Sequence, residues 1–187
     1  MKERLINLFG ENNLEKIKNV HILLVGIGGV GSFCFETLIR CGVENITVID
    51  FDTYEESNLN RQLYATLDSL GKKKVDTAFK RAKSINENVN IKVLDTFLDF
   101  NSDFDFSSYD YIIDACDSVP AKANLIINAK KYNKKIIVSL GIGNRVCPDL
   151  VCKSTLKENL SDPLGKKLNH YLIKKCEFFD NVKVICS

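Results

Sequence analysis

The sequence has little of what several common kinds of protein require. No apolar run approaches the roughly 20 residues of a transmembrane helix, so we expect no membrane span. No Cys-x-x-Cys pair occurs, and Cys147-x4-Cys152 has no second pair beside it, which argues against a structural zinc site. The two histidines, His21 and His170, have no sequence partner for nucleophilic or acid-base catalysis, and we interpret both as structural.

Repeats, low-complexity stretches and linkers are also absent, and 187 residues suffice for one domain with a sizeable core. The seven cysteines are an odd number, they are scattered through predicted helices and strands, and no signal peptide precedes them. This pattern favours a reducing compartment over a framework of disulfides. We therefore expect a cytoplasmic protein.

Charge is distributed unevenly along the chain. The formal net charge is only +2, but residues 1–120 hold 13 Lys or Arg against 19 Asp or Glu, whereas residues 121–187 hold 13 against 5. A basic C-terminal third suits contact with a polyanion, and tRNA or another nucleic acid is the natural candidate. The alternative is that these lysines only solubilise helix faces, and charge alone leaves both interpretations open.

The most informative stretch begins with an apolar segment, His21–Val25, that is typical of a buried strand. It ends in a glycine-rich turn, Gly26-Ile-Gly28-Gly29-Val-Gly31. A helix at 29–41 and a second strand at 45–50 complete a β-α-β unit. Glycines in such a turn let backbone N–H groups approach a phosphate at a helix N-terminus. This context, more than the glycines themselves, predicts a nucleotide site.

Charged residues after the second strand refine that prediction. Asp50 or Asp52, roughly 20 residues after the glycines, is placed to accept a hydrogen bond from a ribose hydroxyl, and we interpret the other carboxylate as structural, although a solvated strand end is the alternative. Arg61 and Lys74 then add positive charge, which a triphosphate needs and an NAD-dependent dehydrogenase does not. The arginine fork suits two phosphate oxygens, and lysine acts as a point charge. The sequence therefore favours ATP over NAD, while the run 72–74 has the alternative of a solvated helix start.

Strands and helices alternate along the chain, which implies an α/β fold. We expect a doubly wound, mostly parallel Rossmann-like sheet with N-terminal helices and a basic C-terminal helical segment. The single domain would comprise an N-terminal helical arm at 1–19, a nucleotide-binding core at 20–143 and a basic, substrate-side segment at 144–187. The other predicted elements are two short helices at 2–18 broken at Gly10, a helix at 71–86, strands at 90–94, 109–114 and 136–140, and helices that open at Ser118-Val-Pro120 and Ser161-Asp162-Pro163.

Further acidic residues fall at the carboxyl ends of the predicted strands, where ligands of such sheets bind. Asp117 follows the strand at 109–114 and is placed to hold a Mg²⁺ ion that bridges phosphates. Asp114 competes for that role, but its position at the strand end favours structural hydrogen bonding. Cys116 lies between them and is expected to be packed rather than nucleophilic.

Taken together, these residues resemble a known family. Their combination, over about residues 1–143, is similar to the ubiquitin-activating-type adenylyltransferases of the ThiF/MoeB superfamily. The motifs that carry the resemblance are Gly26-x-Gly28-Gly29-x-Gly31-Ser32, Asp50-x-Asp52, Asn58-x-x-Arg61-Gln62, Lys74 and Asp114-Ala-Cys-Asp117-Ser118.

The resemblance implies a cofactor set, a reaction and an assembly. Members of the superfamily bind Mg-ATP and transfer AMP to a carboxylate with release of pyrophosphate, so ATP and Mg²⁺ are expected. They are homodimers in which an N-terminal arginine enters the neighbour's ATP site, and Arg4 is the matching candidate. By motif position the resemblance assigns the ribose to Asp50, the phosphates to Asn58, Arg61 and Lys74, and Mg²⁺ to Asp117.

Two features resemble one branch of the superfamily, the tRNA threonylcarbamoyladenosine dehydratases. They are Asp117-Ser118-Val119-x-x-Lys122 and the run at 161–168 before a basic helix. By this resemblance, ATP activates the threonyl carboxylate of a modified adenosine, and the neighbouring carbamoyl group closes a ring with loss of AMP. The basic C-terminal third would then bind tRNA in a salt-sensitive way. The implied footprint comprises Arg145, Lys153, Lys157, Lys166, Lys167, Lys174 and Lys175.

Two alternatives stay open. One is adenylation of a small ubiquitin-like sulfur carrier, with that carrier or a sulfur donor as partner, although the four-cysteine zinc knuckle of many such activators is absent. The other is an inactive nucleotide-binding module. Dehydratases of this type usually continue beyond the position of Ser187, so a fragment is one interpretation of the chain.

Overall fold

The structure, a computed structural model, describes residues 2–143, 146–175 and 181–187. Helices and strands alternate through this part of the chain, and none of its helices has the length and apolar character needed to cross a membrane. The helices are α1 (Lys2–Phe9), α2 (Glu11–Asn19), α3 (Gly31–Arg40), α4 (Lys74–Ile85), α5 (Val119–Lys131) and α6 (Pro163–Lys174). The strands are β1 (His21–Val25), β2 (Asn45–Ile49), β3 (Asn90–Leu94), β4 (Tyr111–Asp114), β5 (Lys135–Ser139), β6 (Cys152–Thr155) and β7 (Lys183–Cys186).

The strands form one sheet in the order β3-β2-β1-β4-β5-β7-β6. All neighbouring pairs are parallel except β6 and β7, which pair antiparallel at the edge. The chain builds outward from β1 through β2 to β3 and then returns to the other side of β1 with β4. This reversal creates the switch point at which doubly wound sheets bind ligands. The predicted fold class is confirmed.

The central strand β1 is apolar and buried from Ile22 to Val25, where helices cover both of its faces. Alternate side chains of a strand point to opposite faces. Ile22 and Leu24 accordingly belong to one buried cluster with residues of α3 and α4, whereas Leu23 and Val25 belong to another with Leu125 of α5. A strand buried on both faces shows a continuous apolar run, which is the pattern that predicted it.

The half of the sheet formed by β4, β5 and β7 is covered differently on its two faces. On one face, α5 and α6 pack around Val138 and Val184. On the other face, Ile113 and Ile137 are only half-buried. There they line an open cavity of about 1040 Å³ together with residues of α2 and α3, including Ile17.

The C-terminal segment requires one correction. The sequence indicated a helical segment after 144, and α6 begins where expected, with Asp162 as N-cap accepting the Gly165 N–H at 2.7 Å. The prediction missed β6 and β7, which extend the sheet by two strands. Each is four residues long, too short for a period-2 pattern to stand out in the sequence. Arg145, a predicted tRNA contact, lies outside the described residues.

The N-terminal arm consists of two helices, as predicted, that meet at Gly10. Leu5 of α1 and Leu14 of α2 lie against Gly42, where a Cβ would be 3.4 Å and 3.1 Å from their respective methyl carbons. Asn45, at the start of β2, donates from Nδ2 to a carbonyl near the end of α2 at 2.9 Å. These contacts place the arm at the amino ends of the strands.

Candidate nucleotide-binding site

Several strand ends converge on one crevice at the carboxyl edge of the sheet. Parallel pairing aligns Val25 with Ile49 on one side and with Asp114 on the other, and Asp114 with Val138 beyond it. The loops that leave these strands therefore start side by side. They carry the glycine turn at 26–31, Asp50 and Asp52, the segment Asp114–Ser118, and Gly141.

The glycine turn is packed so closely that two of its positions tolerate no side chain. Gly26 has a φ of 92°, and a Cβ there would lie 2.7 Å from the carbonyl oxygen of Ala115. A Cβ at Gly31 would lie 1.8 Å from the carbonyl oxygen of Gly26. The absence of side chains thus allows the turn to reverse sharply and to rest on the loop after β4.

The same turn carries backbone donors that the protein does not use. Among the residues that the structure describes, the N–H groups of Gly28, Gly29 and Val30 donate to no protein acceptor. They immediately precede α3, whose N-terminus adds partial positive charge. Free N–H groups at a helix N-terminus form an anion site that suits a phosphate.

Asp50 fixes the turn to the end of β2. One carboxylate oxygen accepts the Ile27 N–H at 2.6 Å, and the other accepts the Asp52 N–H at 2.9 Å. Burial raises the pKa of Asp50, and the two N–H groups oppose that rise because they stabilise the carboxylate. Asp50 therefore has a structural role, which the sequence allowed for one carboxylate of the pair without saying which, and the predicted ribose contact stays a prediction.

Lys74 is brought to the crevice by backbone pairing and not by helix geometry alone. Thr53 bridges to Lys73, and the Lys74 N–H donates to the carbonyl of Asp52 at 3.0 Å. This pairing is why α4 starts at Lys74 and not at Gly71 as predicted. The ammonium group of Lys74 lies 2.7 Å from Asp52 Oδ2, and the lysine side chain is only 6% exposed.

Arg61 lies against the glycine turn. A Cβ at Gly29 would be 3.5 Å from Arg61 Cγ, so the aliphatic part of the arginine covers this glycine. Its Nη1 donates to the carbonyl of Ser57 and to Asn60 Oδ1, both at 2.9 Å. The side chain is exposed, and its Nε and Nη2 donate to no group in the described part of the chain. The aliphatic part of Arg61 thus lies against the glycine turn, while its Nε and Nη2 remain available to bind a ligand.

Asn58 shapes the loop that presents Arg61. It is buried, its Oδ1 accepts the Glu55 N–H at 3.2 Å, and its Nδ2 donates to Ser57 Oγ at 3.2 Å. Its carbonyl accepts the N–H groups of Arg61 and Gln62 at 3.2 and 3.0 Å. The predicted phosphate contact of Asn58 stays a prediction, whereas its loop-forming contacts are observed.

Three further residues of the crevice had no role assigned from the sequence. Ser32 donates from Oγ to the carbonyl of Gly28 at 2.7 Å and accepts the Leu63 N–H at 3.1 Å, which ties the glycine turn to the Arg61 loop. Gln62 Oε1 and the Tyr54 hydroxyl are buried and have no partner among the described residues. Ser32 and Gln62 lie within the motifs that carry the family resemblance, so their place in those motifs could have marked them as residues of the site. The burial of Tyr54 depends on tertiary packing, and no local pattern in the sequence could have indicated it.

Asp114 has the structural role that its place in the sequence favoured. Lys122 of α5 lies 3.1 and 3.2 Å from its two oxygens, and both side chains are fully buried. Lys122 also donates to the carbonyl of Ser139 at 2.7 Å, which joins the ends of β4 and β5. Cys116 donates from Sγ to Asp114 Oδ1 at 3.0 Å, and burial raises the pKa of its thiol. A protonated thiol agrees with packing and not with nucleophilic attack.

Asp117 is the exposed carboxylate of this loop. It lies three residues beyond the end of β4, and no hydrogen bond or ion pair engages it within the described residues. Those residues contain no group of three or more His, Cys, Asp or Glu side chains that could hold a metal ion. A Mg²⁺ ion that is bound mainly by phosphates and water needs only one or two carboxylates. Asp117 fits such a site.

Arg4 is the predicted site residue that lies elsewhere. It is exposed on α1, next to Leu5, and therefore at the amino ends of the strands. The crevice opens at the carboxyl ends, so Arg4 does not contribute to the site of its own chain.

The fold and the crevice together define a Rossmann-like nucleotide-binding protein. Residues 2–148 match the ThiF family, and the chain belongs to that family.

Named proteins are similar along nearly the whole chain. The tRNA threonylcarbamoyladenosine dehydratase of Haemophilus influenzae is 35% identical over 178 residues, which cover 94% of this chain and 68% of that protein. A crystal structure of E. coli tRNA N6-threonylcarbamoyladenosine dehydratase, TcdA, in complex with AMP has a TM-score of 0.93 at 33% identity, covering 98% of this chain and 78% of that one. The same E. coli protein in complex with ATP has a TM-score of 0.89 at 31% identity, covering 97% and 78%. The chain spans about two thirds of the length of the bacterial relatives it matches.

Two glycines of the turn provide a matched test of the site. Gly31→Ala drives a methyl group into the Gly26 carbonyl and should lower the free energy of unfolding by about 3 kcal/mol or more, measured by urea denaturation. Gly28→Ala meets no atom closer than 3.9 Å, so stability should change by less than about 0.5 kcal/mol. It should nevertheless weaken ATP binding by roughly tenfold or more in calorimetry, because the methyl group blocks the approach of a phosphate to the free N–H groups. Unchanged ATP affinity of Gly28→Ala would contradict this location of the phosphates.

Proposed function

We propose that this chain is an ATP-dependent adenylating enzyme that cyclises threonylcarbamoyladenosine in tRNA by net dehydration. The observation that carries the proposal is the crevice itself: within the described residues the glycine turn has unused backbone donors, Arg61 covers Gly29, and Lys74 contacts Asp52, which Asp50 links to the turn. Similarity to named dehydratases along nearly the whole chain supports the choice of reaction. Complexes of one of these enzymes with AMP and with ATP support the choice of nucleotide.

The reaction would proceed in two steps. In the first, an oxygen of the threonyl carboxylate attacks the α-phosphorus of ATP, pyrophosphate leaves, and an acyl-adenylate forms. In the second, the neighbouring carbamoyl group attacks the acyl carbon and releases a proton to solvent, while AMP leaves with the carboxylate oxygen. The product is the tRNA nucleoside less one water. The protein contributes positioning and positive charge, which dominate catalysis of such transfers.

The crevice residues take distinct roles in this scheme. The free N–H groups of the glycine turn and the unused donors of Arg61 bind phosphate oxygens. Lys74 has donors left beyond its contact with Asp52 and adds a point charge beside them. Asp50 accepts a ribose hydroxyl with lone pairs that its two backbone contacts leave unused. Asn58 acts on the phosphates directly or through the loop that it shapes.

Asp117 would hold Mg²⁺ against the phosphates. Its carboxylate is exposed and unengaged within the described residues, at the edge where the phosphates would lie. The chemistry that such an ion would supply is neutralisation of phosphate charge. The buried pair of Asp114 and Lys122 would keep this loop in place, because it fixes the strand end from which Asp117 projects.

An assay of the products tests the reaction and its residues together. Alpha-labelled ATP and threonylcarbamoylated tRNA should yield AMP and a nucleoside lighter by one water.

Arg61→Ala should lower the rate by roughly 100-fold or more, as loss of a single electrostatic donor does. Asp117→Asn should abolish stimulation by Mg²⁺ while circular dichroism shows an unchanged fold.

The acceptor decides between the proposed reaction and its alternatives. AMP or pyrophosphate release that depends on a ubiquitin-like sulfur carrier and not on tRNA would favour carrier activation. Binding of ATP with no turnover on either acceptor would favour an inactive nucleotide-binding module. As a control for side-chain loss on the surface, Arg40→Ala removes an exposed arginine on α3 and should keep the rate within about twofold.

A homodimer is part of the proposal. The half-buried residues Ile113 and Ile137 face an open cavity of about 1040 Å³, so a second copy has an apolar surface to cover. Arg4 lies on the arm beside this cavity, whose lining includes Asn13, Lys16 and Ile17 of α2. An arginine that is remote from its own crevice is suited to complete the crevice of a partner.

Complementation between two impaired variants tests the contribution of Arg4. We expect Arg4→Ala and Arg61→Ala each to lower the rate by roughly 100-fold or more when assayed separately. Mixing them, with exchange of subunits, should restore activity to a fraction of wild type, because a mixed dimer contains one site with both arginines intact. Glu3→Ala, one residue away on the same exposed helix, serves as the control and should stay active alone. Failure of the mixture to regain activity, despite exchange seen with tagged subunits, would exclude this role for Arg4.

The basic end of the chain is proposed as the tRNA surface. Lys166 and Lys167 are exposed in the first turns of α6, close to Gly141 at the crevice, because a Cβ at Gly141 would lie 3.2 Å from the N-cap Asp162. Lys174 and Lys175 lie about 12 Å farther along the helix. A row of exposed lysines that starts at the crevice is suited to follow a phosphate backbone.

Charge reversal tests this surface. The double variant Lys166→Glu, Lys167→Glu should weaken tRNA binding by roughly tenfold or more at low salt and reduce the salt dependence of log K by about 2, measured by filter binding. The matched control reverses two exposed lysines near the opposite edge of the sheet, Lys80→Glu and Lys92→Glu. Equal losses in both double variants would mean that the lysines act only through net charge.

A further inference from the structure

Cys152 and Cys186 form a pair of thiols across the two edge strands. Cys152 opens β6 and Cys186 ends β7, and the antiparallel register sets them directly opposite each other. Their sulfur atoms lie 3.7 Å apart, and Cys186 Sγ is also 3.7 Å from the carbonyl oxygen of Cys152. In the sequence, Cys152 was considered together with Cys147 as a possible zinc ligand. In the structure, the cysteine that Cys152 contacts is Cys186.

The backbone geometry at this pair suits a covalent bond. Directly opposite residues of antiparallel strands have Cα atoms about 4.5 to 5.5 Å apart, and disulfides need about 4.4 to 6.8 Å. The two sulfur atoms are already in contact on one face of the sheet. A rotation of the side chains, without a change of register, can bring them to bonding distance.

The two thiols differ in their exposure to solvent. The exposed thiol suits the first step of a thiol–disulfide exchange, and the buried thiol suits the second. Cys152 is exposed and can meet a small oxidant, whereas Cys186 is 3% exposed and meets only its neighbours. Burial and the Cys152 thiol both raise the pKa of Cys186, so Cys152, the exposed thiol, is placed to react first with the oxidant and Cys186 to attack second.

We propose that Cys152 and Cys186 are a redox modification site that forms a reversible cross-strand disulfide with a small-molecule disulfide as oxidant. The Cys152 thiolate attacks one sulfur of the small disulfide, its S–S bond breaks, and one thiolate leaves. Cys186 loses its proton to solvent and attacks Cys152 Sγ, which expels the second small thiolate. Two protein thiols are oxidised, and one small disulfide is reduced to two thiols.

The bond would fix the free edge of the sheet near the crevice. Leu140, which leads from β5 to Gly141, donates its N–H to the carbonyl of Ile185, the residue before Cys186. Cys186 is thus level with the carboxyl ends of the strands. A reducing compartment keeps both cysteines as thiols, whereas a more oxidising environment would link β6 to β7 by a disulfide. This site is independent of ATP and tRNA, so its test does not depend on the proposed reaction.

Titration with glutathione tests the proposal. The full chain is equilibrated with mixtures of reduced and oxidised glutathione, quenched with acid, alkylated and digested with trypsin without reduction. We expect a cross-link between the peptide ending at Lys153 and the peptide 184–187, lost on treatment with dithiothreitol. The oxidised protein should melt roughly 5 to 10 °C higher than the reduced protein, because the bond closes a long loop.

Variants separate this pair from other cysteines. Cys147→Ser should still form the cross-link, and its use also removes the second cysteine from the peptide that contains Cys152. Cys152→Ser is an exposed change that should fold normally and should abolish both the cross-link and the rise in melting temperature. A cross-link through Cys147, a bond between two chains, or free Cys152 and Cys186 in fully oxidised glutathione would each overturn the proposal.

Discussion

The crevice depends on the close approach of two loops that leave neighbouring strands. Gly26 can rest on the backbone of Ala115 only because it has no Cβ, and Gly31 can begin α3 against the Gly26 carbonyl for the same reason. This contact brings the glycine turn and the loop of Asp117 to one place. A single methyl group at either glycine would separate them, so sterics, and not attraction, sets the architecture of the site.

Buried lysines hold the strand ends around that contact. Lys122 neutralises Asp114 where both are fully buried, and Lys74 contacts Asp52 beside the crevice. Taking such charges from water is costly, and the attraction within each pair offsets the cost only if the hydrogen bonds are satisfied. Lys122 meets this condition with three close oxygens. Lys74 has one among the residues that the structure describes, which leaves donors for an anionic ligand. The two Asp–Lys pairs thus differ in the N–H donors that their lysines leave free to bind a ligand.

The sequence indicated the elements whose signals are local. The apolar run of β1, the glycines after it and the Ser118 cap of α5 each follow from short-range rules, and the structure agrees with all three. The pairing of Asp52 with Lys74 and the thiol contact of Cys152 and Cys186 depend on residues distant in sequence, and β6 and β7 are too short to show a pattern. Local elements could therefore be predicted from the sequence, whereas the long-range contacts that support the crevice could not.

The loop that carries Asn58 and Arg61 is closed at its base. The Gly71 N–H donates to the carbonyl of Tyr54 at 2.9 Å, and the Tyr54 N–H donates to the carbonyl of Lys72 at 3.0 Å, so residues 55–70 leave and rejoin the fold at one point. This arrangement is that of an Ω-loop, whose ends are fixed and whose interior packs on itself. Insertions within it need not alter the spacing between Asp52 and Lys74. The interior of the loop is also tied to α3, because the Leu63 N–H and the Tyr64 hydroxyl donate to Ser32 and Glu36, both at 3.1 Å, so a change within the loop is passed on to the glycine turn at the start of that helix.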